Sequence, residues 1–312
     1  MSVSKESFKS PHLLSDEEIL REGVKPSDVE IFRRTYYWMQ FGLNTWCNHP
    51  NLSPFTFKTL FISLSFDEAQ AIVDRHMQKT VEDPTQIALL KQLETKIDQS
   101  LETFKNRSAF IKLATRSPKD APLYDFENKE LQQCILEELN RVALQGIQSK
   151  KRGKMELKPV DLIPAFVRAT NRYLKVENGK KALELLIESH RIREDLNRML
   201  NLGKQKFEKV KDAVSIVLRE WLEEVVERPQ FEFRAFVHNN HINAITQYFS
   251  FCYFPELVQN KQKLQNLMLN FFNDHVKQHL INHQSYVIDF YVKQDDQVMI
   301  IELNPFHNGN FV

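Results

Sequence analysis

The C-terminal part of the chain, from residue 286 onward, contains two segments rich in β-branched and aromatic residues, 286–292 and 298–304. The residues between them, 293–297, are all polar or charged. Two such segments on either side of a short polar stretch predict a β-hairpin, which is the strongest local constraint in the sequence. A two-residue loop at Asp295-Asp296 would determine which residues of the two strands face each other.

Three oxygen-bearing side chains come together in that register. Counting back along the antiparallel ladder places Asp289 directly across from Glu302 and puts Asn304 on the same face of the sheet. Two facing carboxylates repel each other unless a cation neutralises them, and Mg²⁺ prefers such oxygen donors together with phosphate oxygens and water. The hairpin therefore predicts a phosphate-handling metal site. A solvated sheet face that carries two carboxylates is the alternative that the hairpin alone leaves open.

A second hairpin is predicted upstream of the first one. Residues 231–248 alternate between apolar and polar types on either side of a turn at 239–240. In that register Glu232 lies across from Gln247, and both share one face with Arg234. An arginine on a strand beside a metal-ligand hairpin suits a fork that grips phosphate or carboxylate. An ordinary Glu–Arg pair on a solvated sheet is the alternative.

Several segments of the chain resemble the cell division cycle protein 123 family in order and approximate spacing. They are residues 217–221, 232–237, 246–247, 253–257, and 288–291 together with 302–306. Upstream, residues 110–113 followed by 117–121 resemble the lysine-containing segment of that family. The family has the ATP-grasp fold. The resemblance therefore implies an α+β protein with an ATP-grasp-like two-lobed fold and antiparallel sheets.

The resemblance also implies roles for individual residues, with ATP and Mg²⁺ as the cofactors. Lys112 matches the family's phosphate-contacting lysine, and Arg234 matches its phosphate-facing arginine. Asp289 and Asn304 match residues of the family's metal site. Glu302 stands where an aspartate is more usual, but glutamate at this position is similar to the wider ATP-grasp superfamily.

Three further residues, Arg219, Glu220 and Trp221, match the family's hinge between lobes, where backbone groups read adenine. Glu220 stands where a lysine is common, which leaves a side-chain contact to adenine open. In the lysine loop, Thr115 replaces a tryptophan and Lys119 replaces an arginine. The second change loses a bidentate fork.

The chemistry of ATP is consistent with the same residues. A triphosphate site needs lysine or arginine side chains, a divalent ion that bridges oxygens, and a dry slot for the purine. Lys112, Arg116, Lys119 and Arg234 supply the basic groups beside the predicted metal site. The chain has only seven glycines and contains neither a P-loop nor a dinucleotide-binding fingerprint, which disfavours the glycine-rich nucleotide folds.

Composition indicates an ordinary soluble protein. Among 312 residues, 42 are basic and 41 are acidic, so that no strong electrostatic attraction to nucleic acid or to an anionic membrane is expected. No apolar run approaches the length of a membrane span, and we expect no membrane insertion. The three cysteines, Cys47, Cys134 and Cys252, are scattered and lack metal-ligand spacing. A reducing compartment, the cytoplasm, fits this pattern best.

Outside the hairpins the sequence predicts mainly helices. Ser15 with Glu18 three residues later has the pattern of a capping box at a helix start. Residues 182–211 predict one long helical stretch, whereas residues 52–66 carry prolines and aromatics and predict irregular structure. An aromatic cluster within residues 32–46 predicts a small helical core, with a partner-binding surface as the alternative.

The helical pattern and the resemblance together divide the chain into three regions. We expect a helical accessory region at 1–105, an ATP-grasp N-terminal lobe with a helical insertion at 106–217, and a C-terminal lobe carrying the metal site at 218–312. Members of the family help to assemble translation initiation factor 2 by binding its gamma subunit. The resemblance thus implies an ATP·Mg²⁺-binding assembly factor that has ATP and this gamma subunit as partners.

A different class of function stays open at the level of sequence. Many ATP-grasp proteins are ligases that join a carboxylate to an amine, and such an enzyme would use an RNA end or a peptide as its acceptor. The same lysine, arginine and metal-site residues would serve either class, and the sequence identifies no catalytic residue. Turnover of ATP distinguishes the two.

Overall fold

Two four-stranded antiparallel sheets form the centre of the molecule, and helices surround them. The computed structural model describes residues 15–77, 83–124, 127–149, 159–203, 215–280, 283 and 285–306. The predicted α+β class with antiparallel sheets and a helical N-terminal region is confirmed. Within the described residues, no helix combines the length and the apolar character needed to cross a bilayer.

The helices of the N-terminal third begin where the sequence provides capping residues. In the predicted capping box, the amide of Glu18 donates to Ser15 Oγ at 3.3 Å, and the amide of Ser15 donates to Glu18 Oε2 at 2.8 Å. Asp83 caps a later helix by accepting from the amide of Thr85 at 2.8 Å. The helices are α1 Asp16–Arg21, α2 Val29–Met39, α3 Leu43–Trp46, α4 Phe66–Met77 and α5 Pro84–Leu101.

The remaining helices are α6 Lys129–Ser149, α7 Pro159–Tyr173, α8 Gly179–Glu188, α9 His190–Gly203, α10 Glu223–Glu227 and α11 Pro255–Phe271. Residues 204–211 of the predicted long helical stretch at 182–211 lie outside the described residues. Before them the prediction of one continuous stretch is wrong, because Ser189 separates α8 from α9 with an extended backbone (φ −77°, ψ 118°). Its hydroxyl accepts from the amide of Ile192 at 3.1 Å and donates to Asp120 Oδ1 at 2.5 Å. These two hydrogen bonds of the Ser189 side chain thus stabilise the break between the helices.

Sheet A consists of β1 Thr59–Ser63, β2 Ala109–Leu113, β3 Lys175–Val176 and β4 Ser215–Glu220, in the order β1-β4-β2-β3. The strand β1 lies in the segment 52–66 that was expected to be irregular. Pairing with β4, more than 150 residues away in sequence, makes it a strand. The strand β4 also spans the predicted boundary between residues 217 and 218. The division into three regions stays a prediction, but sheet A draws strands from all three of them.

Sheet B consists of β5 Glu232–His238, β6 His241–Gln247, β7 Ser285–Val292 and β8 Val298–Pro305, in the order β6-β5-β7-β8. The predicted opposition of Asp289 and Glu302 is confirmed. The two-residue loop is wrong, because the amide of Lys293 donates to Gln297 O and leaves three residues in the turn. A bulge beside Asp289 restores the register that the longer turn had shifted.

The hairpin formed by β5 and β6 turns at residues 239–240, as predicted, and both asparagines have left-handed backbones (φ 50° and 59°). A bulge between Phe236 and Val237 shifts the register by one residue. Gln247 therefore lies across from Phe233 and not from Glu232. Because a shift of one residue reverses the face of every later side chain, Gln247 points away from the face that carries Arg234.

Alternation along the strands separates the core from the functional face. Ile111 and Leu113 of β2 are buried in a first core, which sheet A shares with the surrounding helices. Lys112 lies between them in sequence and therefore occupies the opposite face, which is turned toward sheet B. A second core lies beneath sheet B and includes α11. The N-terminal aromatic cluster supplies both cores, with Phe32 in the first and Trp46 in the second.

Candidate functional site

A cleft between the two sheets brings the predicted basic and acidic residues together. Lys112 of β2 donates from Nζ to Glu302 Oε2 of β8 at 2.8 Å. Arg219 of β4 donates from Nη1 to the carbonyl oxygen of Ile301 at 2.6 Å. Both basic residues are almost completely buried. Two basic side chains of sheet A therefore contact the last strand of sheet B.

The predicted metal-site residues converge on the floor of this cleft. Arg234, Asp289 and Glu302 lie in a row across β5, β7 and β8. Arg234 grips the fully buried Asp289 with two hydrogen bonds of 2.8 Å, from Nε and Nη2. Asn304 Nδ2 lies 3.4 Å from Asp289 Oδ2 and 3.5 Å from Glu302 Oε1. The hairpin thus gathers two carboxylates and one amide within reach of a common point.

Basic side chains already neutralise both carboxylates of the predicted metal site. Burial raises the pKa of Asp289, and the two hydrogen bonds from Arg234 oppose this rise. Burial also opposes the charged form of Glu302, but Lys112 and Lys119 outweigh it and hold its pKa below the usual range. The argument that two facing carboxylates require a metal is therefore incomplete. The protein's own lysine and arginine side chains meet that requirement in part.

A third acidic group lies beside Lys119. The ammonium of Lys119 donates to Tyr248 Oη at 3.2 Å and lies 3.8 Å from Glu232 Oε1. Burial raises the pKa of Glu232 to about 7, although Lys119 opposes this effect. Burial disfavours the charged form of Lys119, yet Tyr248 and Glu232 hold its pKa above the usual range. Lys119 is thus a cation with nearby acceptors at the centre of the cleft.

Arg116 reaches the cleft from the loop after β2. Its Nε and Nη2 donate to the two carboxylate oxygens of Asp195 in α9, each at 3.3 Å. Thr115 Oγ1 donates to the same carboxylate at 3.0 Å. The guanidinium carbon of Arg116 lies 4.0 Å from the ring centroid of Trp38 in α2. Two helices distant in sequence, α2 and α9, thus fix the position of one arginine.

The cleft contains two adjoining spaces. The first, which we call the apolar slot, has a volume of about 100 Å³ and is lined by eight aromatic or aliphatic residues and six charged ones. The second, the polar compartment, has a volume of about 200 Å³, and four basic residues but only one acidic residue line it. Ser117, Lys119 and Glu302 line both spaces. The basic residues of the polar compartment are Arg116, Lys119, Arg191 and Arg234.

The predicted hinge residues Arg219, Glu220 and Trp221 all line the apolar slot. Arg219 has a structural role there, since its Nη2 also donates to Thr56 Oγ1 at 2.6 Å. Burial lowers the pKa of Arg219 to about 10. The indole nitrogen of Trp221 donates to Glu223 Oε2 at 2.7 Å, which orients its ring at the slot.

Two of the predicted site residues line neither space. Asp289 is fully buried against Arg234, whereas Gln247 lies on the opposite face of sheet B. Gln247 Nε2 donates to the carbonyl oxygens of Phe249 and Cys252, at 2.8 and 2.6 Å. These bonds shape the turn that follows β6. The bulge in the hairpin, which no local pattern announces, is the reason that Gln247 is separated from Arg234.

Three residues of the polar compartment were missed by the sequence interpretation: Trp38, Arg191 and Tyr248. Arg191 enters only because the chain breaks at Ser189, and its amide donates to Asp120 Oδ2 at 3.1 Å. Trp38 comes from α2, which the sequence indicated only as part of a helical core. Tyr248 directly follows the hairpin, and its proximity to a predicted arginine strand was the one available signal.

The donor set of the cleft fits Mg²⁺ better than a softer metal. Asp289, Glu302 and Asn304 offer oxygen donors, and rotation of the Asn304 amide presents its oxygen to the same point. Mg²⁺ characteristically takes one or two carboxylates together with phosphate oxygens and water. In the part of the chain that the structure describes, no group of three or more histidine, cysteine, aspartate or glutamate residues suits a metal ion. Metal binding here would therefore depend on an anionic ligand.

Comparisons with known proteins show what the chain resembles. Residues 160–310 match the sequence model of the D123 family. The translation initiation factor eIF2 assembly protein of Dictyostelium discoideum is 37% identical over 92 residues, which cover 30% of this chain and 23% of that protein. The protein of the same description from Xenopus tropicalis is 30% identical over 91 residues, covering 29% and 26%. The matched segment thus spans about a quarter of each relative's length.

The fold comparison extends over most of the chain. The solved structure of Cdc123 from Schizosaccharomyces pombe matches with a TM-score of 0.54 and 16% identity, and the match covers 86% of this chain and 84% of that one. A C-terminally truncated form of the same protein matches with a TM-score of 0.55 and 17% identity. These matches concern the fold. Taken with the family match and the curated relatives, they confirm the resemblance of this chain to the D123 family.

Proposed function

We propose that this protein binds ATP with Mg²⁺ in the cleft between the sheets and, in that state, takes part in the assembly of translation initiation factor eIF2. The proposal of ATP binding rests on one observation: the apolar slot and the polar compartment adjoin each other and share Lys119. ATP combines an apolar, planar base with a polyanion. An apolar space that opens into a space lined by four basic side chains matches both parts in the right order.

Each group of residues has a separate task in this proposal. Phe110, Leu174 and Trp221 in the slot exclude water from the purine. Arg116, Lys119 and Arg234 donate to phosphate oxygens. Asp289, Glu302 and Asn304 would hold Mg²⁺, which supplies a bridge between phosphate oxygens and neutralises their charge when it is bound. These assignments extend the ATP-grasp interpretation of the cleft.

Lys112 and Arg234 are suited to exchange one anion for another. Both currently contact carboxylates at 2.8 Å, and Arg234 also lines the polar compartment. A phosphate that enters the compartment is also negatively charged and can accept hydrogen bonds from these donors. The lysine and arginine would then shift part of their hydrogen bonding from carboxylate to phosphate, which frees carboxylate oxygens for a cation.

The assembly role is supported by the relatives named as translation initiation factor eIF2 assembly proteins. We propose the gamma subunit of that factor as the partner, in accordance with the family resemblance. Because a bound nucleotide contacts both sheets at once, it favours the arrangement of the two sheets that fits it best. ATP would thus stabilise one shape of the protein for its partner.

Calorimetry tests nucleotide binding directly. We expect ATP to bind in the presence of Mg²⁺ and to bind at least about tenfold more weakly after EDTA treatment, a difference of ~1.4 kcal/mol. Asn304→Leu, which removes a metal donor without changing the charge, should reduce the Mg²⁺-dependent part of the affinity. Lys263→Met is the matched control, since Lys263 forms an exposed ion pair with Asp296 outside both spaces. Equal affinities with and without Mg²⁺ would contradict the proposed site.

Binding of the partner is a separate measurement. The purified gamma subunit of eIF2 should be retained by this protein in ATP·Mg²⁺, and retention should fall with the Asn304→Leu variant. Retention that does not depend on nucleotide would show that partner binding does not require an occupied cleft. Absence of retention in ATP·Mg²⁺ would refute the assembly role while leaving nucleotide binding intact.

A further inference from the structure

Helix α2 of the N-terminal region contributes a wall to the polar compartment through Trp38. This helix lies outside residues 160–310, which match the family's sequence model. Helix α2 is firmly anchored, because Phe32 and Met39 are buried in the first core. The half-buried Trp38 side chain is thus presented to the compartment by a helix whose own position is fixed.

Trp38 completes the enclosure of the Arg116 guanidinium. The ring of Trp38 covers one face of this group at 4.0 Å, and Asp195 accepts from Nε and Nη2 along one edge. Within the described residues, no protein acceptor contacts the remaining Nη1. A guanidinium that is stacked on a ring and held along one edge keeps a single orientation, which leaves the two N–H groups of Nη1 available to a ligand.

The position of Arg116 along the cleft indicates which part of a nucleotide it reaches. Lys119 and Glu302 line both the apolar slot and the polar compartment and therefore mark the junction between them. Arg116, Arg191 and Trp38 line the polar compartment but not the slot. With the base in the slot, the first phosphates of an extended polyphosphate lie at the junction. The terminal phosphate lies beyond it, beside Arg116.

We propose that Trp38 is a positioning residue that holds Arg116 as the reader of the terminal phosphate, so that the cleft distinguishes a nucleoside triphosphate from the diphosphate. This inference rests on the proposed nucleotide site and adds its selectivity. Without the ring, the Arg116 side chain regains rotamers, and the donor loses its fixed direction. The diphosphate ends at the junction and does not reach Arg116, so its affinity does not depend on this donor.

The test compares ATP with ADP, both in Mg²⁺, by calorimetry on the full chain. We expect Trp38→Leu to lower the affinity for ATP by about tenfold and to change the affinity for ADP by less than about twofold. Trp38→Phe keeps a ring over the guanidinium and should retain most of the selectivity. Ile31→Ala is the control on the same helix, because Ile31 is exposed and lies outside both spaces.

A double-variant comparison separates a positioning role from a merely structural one. Arg116→Met should abolish the preference for ATP, and the double variant Trp38→Leu/Arg116→Met should show no further loss, because Trp38 acts through Arg116. Equal losses for ATP and ADP in Trp38→Leu, additive losses in the double variant, or an unchanged ATP/ADP ratio in Arg116→Met would each overturn the inference. If the unaltered protein bound neither nucleotide, the proposed site itself would fail.

Discussion

The buried carboxylates of the cleft each depend on one particular basic side chain. Asp289 is completely buried and receives two equal hydrogen bonds from Arg234, while Glu302 receives one from Lys112. Removing either base leaves a buried carboxylate without its counter-charge, which costs more than the net contribution of the pair itself. Truncation of Lys112 or Arg234 would therefore perturb folding and binding together. Neutral, shape-preserving changes such as Asn304→Leu report on binding more cleanly.

Another single residue makes stability depend on pH. His283 is 3% exposed and lies against the ring of Phe41, 4.9 Å away between centroids. Burial lowers its pKa from 6.5 to about 4, so that the folded state binds fewer protons than the unfolded state between these values. Stability from this residue is complete above pH 6.5 and is lost as the pH falls toward 4. We expect a loss of about 2 kcal/mol between pH 7 and pH 5.

Urea unfolding at a series of pH values measures this effect. The comparison is with His283→Phe, which preserves an aromatic ring beside Phe41 and cannot be protonated. Between pH 7 and pH 5 the unaltered protein should lose more unfolding free energy than His283→Phe does. Parallel pH profiles for the two proteins would show that protonation of His283 does not destabilise the fold.

At the scale of elements, the two hairpins show how far sequence patterns extend. Alternation and turn residues correctly predict both hairpins, including the asparagine turn, because these signals are local. Neither alternation nor turn residues indicate the two bulges. One bulge offsets a longer turn and leaves Asp289 across from Glu302, whereas the other moves Gln247 to the opposite face. A bulge depends on packing against distant elements, which the sequence of the strand does not contain.

The same limit applies to β1 and to the break between α8 and α9. The strand β1 is defined by its pairing with β4, and the break at Ser189 is stabilised by Asp120 from a loop far away in sequence. Family resemblance located Lys112, Asp289 and Asn304, since each stands in a recognisable motif. Trp38 and Arg191 stand in no such motif and became visible only when tertiary structure brought α2 and α9 to the cleft.

An ion network joins the helices α6, α7 and α10, and it yields a prediction about these elements. Glu138 of α6 is almost completely buried and accepts from Arg168 Nε and Arg141 Nη2, each at 2.8 Å. Glu227 of α10 pairs with Arg141 and Arg172. Because Glu138→Gln would leave buried arginines with less counter-charge, we expect a loss of about 3 kcal/mol in the free energy of unfolding.

The matched control for the network is Glu137→Gln on the same helix. Glu137 is exposed, and its substitution should change the free energy of unfolding by less than about 0.5 kcal/mol. Denaturant unfolding of the two variants gives the comparison. Similar small losses for both would indicate that the arginines find other partners or reach solvent, and the network would then have no special role in joining α10 to α6 and α7.

At the scale of the whole molecule, the cleft is the place where the two sheets depend on each other. Lys112 and Arg219 of sheet A contact β8 of sheet B, and a nucleotide in the apolar slot would add contacts to both sheets. This arrangement suits a protein whose shape responds to occupancy. It equally suits a ligase in its positioning of ATP, so the distinction between these classes depends on what happens to the phosphates after binding.

The final prediction concerns that distinction. Three carboxylates of the cleft have a basic partner, since Glu232 lies beside Lys119, Asp289 beside Arg234, and Glu302 beside Lys112. Because each of these three carboxylates already has a basic neighbour, we expect ATP to be held without turnover. Release of ADP and AMP should stay far below the ~1 to 1,000 turnovers per second that are typical of enzymes.

The assay incubates the protein with ATP·Mg²⁺ alone, with eIF2 subunits, with 5′-phosphorylated RNA, and with a panel of carboxylate and amine acceptors. A ligase that activates a carboxylate must release ADP and phosphate for every product, and a ligase that adenylates RNA must release AMP. Asn304→Leu identifies turnover by a contaminating ATPase, because a contaminant is unaffected by the variant. Acceptor-dependent release of ADP or AMP that disappears in Asn304→Leu would make this protein an enzyme, and occupancy alone would no longer explain the charge pairs between its sheets.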